Sequence, residues 1–138
     1  MSARDTVHNA ARSALEKDGW TITHDPLTLK VDELDFYIDL GAERLLAAQK
    51  AGQKIAVEIK SFLGASEVTE FHLALGQTLN YRSALRKTQP ERVLYLAIPF
   101  DAYRDFFIIQ FIQDVIAEYQ VKLLIFDPVK EEIVLWKE

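Results

Sequence analysis

Glu58-Ile59-Lys60 sets a carboxylate and an ammonium two positions apart. In an extended strand that spacing puts both on one face, and Ile55, Val57 and Ile59 fall on the other as an apolar stripe. Alone, a Glu/Lys pair on a half-exposed strand is common and worth little energetically. Asp39, nineteen positions upstream, raises its interest. It stands at the start of a segment that reads as the first strand of a hairpin, so folding back brings Asp39 beside Glu58. Two converging carboxylates, with the peptide oxygen of Ile59, make a set for a hard divalent cation that prefers oxygen ligands. Mg2+ or Mn2+ fits that set better than zinc. Lys60 could then orient or help deprotonate a water there, or stabilise charge developing on a phosphate. Gln77 and Tyr81 are four residues apart and so adjacent on one helix face, although an ordinary polar face often carries such a pair.

These residues need elements to hold them. Val7, Ala10, Ala11, Ala14 and Leu15 recur at helical spacing and predict a helix over Ala3 to Lys17, stopped by Gly19. Trp20 to His24 and Leu34 to Leu40 read as strands. Arg44 to Gln49 and Lys54 to Lys60 read as an antiparallel hairpin around the loop Lys50-Ala51-Gly52-Gln53. Ser66 is a candidate N-cap for a helix to about Leu85, and Arg92 to Ile98 reads as a buried strand ended by Pro99. Asp101 is a candidate cap for a helix over Ala102 to Tyr119, whose wide apolar arc implies burial on two sides. Val121 to Phe126 and Glu132 to Trp136 read as closing strands. The expected class is α/β (α+β), a single domain over residues 1–138 with a mixed sheet flanked by helices, in the order α-β-β-β-α-β-α-β-β.

Composition narrows the function. With 138 residues, 49% of them hydrophobic and 27% charged, the chain is the size of one globular domain and can bury a core. It has no Cys, which excludes disulfides, thiol catalysis and Cys-ligated zinc and suits a reducing cytosol. Met1 to Ala11 lacks the apolar core of a signal peptide, and no stretch reaches the roughly 20 apolar residues that span a bilayer, so a cytoplasmic protein without a membrane partner is expected. A net charge of −5 argues at first against nucleic acid. Its distribution weakens that inference. Residues 1–100 carry 12 basic and 13 acidic side chains, whereas 101–138 carry 4 and 8. Arg82, Arg86, Lys87 and Arg92 form a basic run near Gln77, so Arg82 and Arg86 are candidate DNA contacts, with dipole complementation at a helix C-terminus the plain alternative. The acidic, aromatic-rich C-terminal third suits protein contact, and a homodimer is the default expectation.

Asp39, Glu58-x-Lys60 and Gln77-x-x-x-Tyr81, in this order of elements, resemble the PD-(D/E)XK nuclease superfamily. Longer runs are similar to the XisH-type fdxN-element excision controlling factors of cyanobacteria: Asp18 to Leu27, Ile38 to Arg44, Ile55 to Phe62 and Ala74 to Arg82. The resemblance implies a restriction-endonuclease-like core and a role in programmed excision of a DNA element with a site-specific recombinase and companion factors. Autonomous cleavage does not follow from it, and a non-catalytic accessory protein on the same fold is the other reading. Carried over by position, Asp39 and Glu58 are the metal ligands with the Ile59 carbonyl, Lys60 is the catalytic lysine, and Gln77 and Tyr81 brace the site or meet DNA. His8 stands about where resolvase-like relatives place a helix-one Glu, and a neutral imidazole can still bind a metal or a phosphate. Glu43 is a further candidate for the metal shell.

Overall fold

A computed structural model of the chain describes residues 3–45 and 52–138. The stripe expected on the first helix folds as α1 (Ala3–Lys17), and Val7, Ala10, Ala11, Ala14 and Leu15 are all buried. The chain leaves α1 through Gly19 at φ +95, a conformation that costs little only without a Cβ, and the Trp20 N–H closes the turn on the Leu15 carbonyl.

Among the described residues, eight strands and three α-helices follow. The strands are β1 (Thr21–His24), β2 (Leu27–Val31), β3 (Leu34–Ile38), β4 (Leu40–Arg44), β5 (Gln53–Ile59), β6 (Val93–Pro99), β7 (Leu123–Asp127) and β8 (Glu132–Lys137). The helices are α2 (Glu67–Thr88), α3 (Phe100–Ala102) and α4 (Gln110–Glu118), with a π-helical turn at Tyr103–Phe107 between the last two. Six strands form a mixed sheet in the order β1-β4-β5-β6-β7-β8, in which β5, β6 and β7 are parallel and the remaining pairs antiparallel. Parallel neighbours need crossovers. Helix α2 supplies one, and α3 to α4 the other. Strands β2 and β3 pair as a separate two-stranded sheet.

The two faces of the main sheet are both covered. On one, α1 packs against Leu40, Ala42, Ile55, Val57, Tyr95, Ala97, Leu124 and Phe126. On the other, α2 joins two clusters. Its Phe71 and Ala74 pack with Phe106, Phe107 and Leu96, while its Ala84 and Leu85 pack with Leu27, Leu29, Ile38, Ala56 and Leu94. Because α2 serves two clusters along its length, its apolar residues are not confined to one stripe. Ser66 caps it as expected, its Oγ accepting from the Thr69 N–H at 3.2 Å.

Several expectations are corrected. Among the described residues five strands, rather than three or four, separate α1 from α2, and the added one is Leu27–Val31: Leu27, Leu29 and Val31 alternate, but Thr28 and Lys30 weaken the pattern. The first strand of the hairpin is Leu40–Arg44 and not Arg44 to Gln49, of which 46–49 lie outside the described residues. The helix expected over 102–119 is broken, and Pro99, without a side-chain bond, precedes it in place of an Asp101 cap. Phe106 and Phe107 are both buried against Phe62 and Phe71. Consecutive residues on an α-helix diverge by about 100°, and the wider π turn brings both rings inward. Ile109, at ψ 130, then resets the chain, leaving Ile108, Ile109 and Phe111 exposed rather than buried on a second side.

Candidate functional site

Alternation along β5 does what the spacing predicts: Ile55 and Val57 enter the α1 face, while Ala56 and Glu58 take the other. That second face is not open to solvent. Packing of α2 and of the β2–β3 hairpin over it leaves Glu58 only 5% exposed.

Asp39 occupies the bend between β3 and β4, one residue before the antiparallel ladder that pairs Leu40 with Val57. The ladder continues there through side chains. The Ile59 N–H donates to Asp39 Oδ2 at 2.8 Å, and the Asp39 N–H donates to Glu58 Oε1 at 3.2 Å. A strand residue directs its N–H and C=O to the same edge, so the Ile59 carbonyl faces Asp39 as well. Lys60 Nζ lies 3.5 Å from Glu58 Oε2, with the lysine side chain 15% exposed.

Burial, and after it the charge of Asp39, push the Glu58 carboxyl up to about 7, with Lys60 only partly offsetting them. The pair is therefore short of positive charge. A divalent cation would supply it, and two carboxylates with one peptide oxygen, completed by waters, suit Mg2+. Among the described residues no group of three or more His, Cys, Asp or Glu side chains converges to form a fuller protein cage.

Tyr81 on α2 reaches the same place. Burial, then Glu58 and Asp39, raise its phenol to about 12, so it stays protonated and can donate. Its ring meets Phe36 of β3 edge-on, with centroids 6.2 Å apart. Gln77, one turn earlier, has a buried Oε1 without a hydrogen-bond partner.

Other candidates are engaged elsewhere. His8 Nε2 lies 2.9 Å from Asp25 Oδ1, and Arg12 binds the same carboxylate at 2.6 Å. Glu43 faces Lys54 and Arg92, at 3.7 and 3.9 Å. Arg82 donates to the carbonyls of Tyr119 and Gln120 at 2.7 and 3.2 Å, and with Arg86 it lines a cleft on a different flank of α2 from Tyr81. Phe36, which seats Tyr81, and Thr78, whose buried hydroxyl has no partner, were not singled out from the sequence. The Phe36 contact had no local signal, and Thr78 showed only as the position one turn before Arg82.

Residues 1–134 match the family model described as XisH protein. The chain is similar to the crystal structure of an XisH family protein from Nostoc punctiforme PCC 73102, with 51% identity and a TM-score of 0.89 over 97% of this chain and 100% of that one. It is similar also to the crystal structure of an fdxN element excision controlling factor protein from Anabaena variabilis, with 48% identity and a TM-score of 0.88 over 98% and 100%. No curated protein matches it. A family match over almost the whole chain, joined to half-identical structures that cover nearly all of it, places it: the chain belongs to the XisH family.

Proposed function

We propose that this chain is a DNA-element excision controlling factor with a metal-dependent phosphodiester site of the PD-(D/E)XK type, working with a site-specific recombinase and companion factors. The carrying observation is the joined set of Asp39, Glu58, the Ile59 peptide and Lys60 on one buried sheet face. Asp39 and Glu58, with the Ile59 carbonyl, would hold Mg2+ or Mn2+. The cation supplies a Lewis acid for a phosphoryl oxygen and lowers the pKa of water. Lys60 places its ammonium where charge develops on the phosphate. The Tyr81 phenol donates a hydrogen bond, and the Gln77 amide is the neighbouring polar group that can orient a water or a phosphate oxygen.

The test is relaxation or linearisation of plasmid by purified protein with Mg2+ or Mn2+. Wild type should cut, and Asp39→Ala and Lys60→Ala should each lose at least about 100-fold in rate, the scale of one electrostatic group in such a site. Absence of cutting on duplex, single-stranded and branched DNA would reject the enzyme.

A second reading has its own observation. Ile108, Ile109 and Phe111 are 58%, 47% and 70% exposed in the acidic C-terminal third. Exposed apolar residues close together suit a protein partner, a second copy or a companion factor, and an accessory protein needs that surface more than the carboxylates.

A further inference from the structure

A cleft of about 760 Å3 opens between the C-terminal half of α2, the C-terminal end of α4 and the amino-terminal ends of β6 and β7. It is distinct from the carboxylate site. Gln77 and Tyr81 lie on one flank of α2, and Thr78 and Arg82 lie a residue further round, about 100° away. The volume is within the ~300–1,000 Å3 usual for small-molecule sites.

The walls have two characters. Arg82, Arg86, Lys122 and Lys137 bring positive charge. The Arg82 guanidinium is fixed by the carbonyls of Tyr119 and Gln120, which engage one nitrogen of a fork that carries five donors. Lys137 Nζ is held on the Tyr103 hydroxyl at 3.2 Å. Two other charged lining residues are occupied: Glu138 bonds the Tyr95 hydroxyl, and the Arg92 guanidinium donates to the Ile55 carbonyl and to Gln89. Apolar surface comes from Leu85, Val93, Leu94 and Phe107.

Thr78 is the telling residue. It is 3% exposed and lines the cleft, and its Oγ1 has no hydrogen-bond partner. A threonine within a helix commonly bonds the carbonyl four residues back. This one does not, and a buried hydroxyl left unpaired is costly until something pairs with it.

The cleft thus calls for a compact ligand with a multiply charged anionic end, an apolar body and a polar atom within it. We infer that it binds a nucleoside 5′-phosphate, carried by a free nucleotide or by the phosphorylated 5′ end of a DNA strand. The arginines and lysines take the phosphate, the apolar wall takes the base, and the Thr78 hydroxyl pairs with a polar atom of the base or sugar.

Calorimetric titration of the full chain at low salt tests this, with ADP, adenosine, a short single-stranded oligonucleotide with and without a 5′-phosphate, and polyglutamate. One site should bind ADP or the phosphorylated strand at least tenfold more tightly than its unphosphorylated counterpart. Arg86→Ala with Lys122→Ala should weaken that binding about tenfold or more, and Thr78→Val at least threefold, while Asp39→Ala leaves it unchanged. Preference for the phosphorylated strand over ADP assigns the strand end, and the reverse assigns the free nucleotide; either supports the site. No binding of either probe, binding indifferent to the phosphate, binding unchanged in the Arg86/Lys122 double variant, or tighter binding of polyglutamate would overturn it. Circular dichroism on each variant checks the fold.

Discussion

Glu58 carries the most information of any residue here, because its environment opposes its charge. Its carboxyl is raised from 4.5 to about 7 by burial and by Asp39. The folded state therefore holds a proton that the unfolded state has already lost between those values. The contribution to stability is fully present below about 4.5 and is lost as pH rises through about 7, with a slope of at most about 1.4 kcal/mol per pH unit. Urea midpoints of metal-free protein should accordingly fall across this window, and Glu58→Gln should flatten the fall; an equally steep decline in the variant would assign the effect to other groups. Carboxylates bind metal in their deprotonated form, so millimolar Mn2+ should raise the melting temperature more at pH 8 than at pH 5. Equal shifts at both values would speak against the site. Glu58, Lys60 and Asp39 were legible in the sequence, since the two-residue period of a strand and the return of a hairpin place them together. The raised pKa was not. It depends on α2 and the β2–β3 hairpin closing over a face that, from alternation alone, could equally have met solvent.

Elements were legible where pattern and boundary agreed, as in α1 with its stripe and Gly19, α2 with its Ser66 cap, and β5 with its alternation. They were not where tertiary packing chose the conformation. The apolar run after Pro99 has the composition of one helix, but seating both Phe106 and Phe107 against Phe62 and Phe71 inserts a π turn that no local preference announces. Strand β2 is the other case. Its inward residues, Leu27 and Leu29, are 1% and 2% exposed and pack on Ala84 and Leu85 of α2. If β2 is a core element as it stands here, Leu29→Ala should cost roughly 2–5 kcal/mol in denaturant unfolding, as large-to-small changes in a packed core do. A loss below about 0.5 kcal/mol, the scale of surface substitutions, would mean that the hairpin is a loosely attached flap.

At the scale of the whole molecule, α2 stands between two sites of opposite sign, acidic on the Tyr81 flank and basic on the Arg82 flank. That separation explains how a chain of net charge −5 can still carry a basic cleft. The acidic third, residues 101–138, holds a further exposed feature, the Ile108, Ile109 and Phe111 patch. The three face outward because Ile109 leaves helical geometry after the π turn, so no repacking of the core is needed to cover them. A partner surface would remove them from water at about 25 cal/mol per Å2 of apolar area. A second copy is the simplest partner, since symmetric pairs dominate among oligomers. Sedimentation of the pure chain should then show a dimer at tens of micromolar, reduced to monomer in Phe111→Glu. Because Phe111 is 70% exposed and outside the core, that substitution should leave the melting temperature of the monomer within about 2 °C, roughly what 0.5 kcal/mol shifts a domain of this size. A wild type that stays monomeric at high concentration, and that also fails to capture a companion excision factor in co-purification, would leave the patch without a partner and reject the accessory reading.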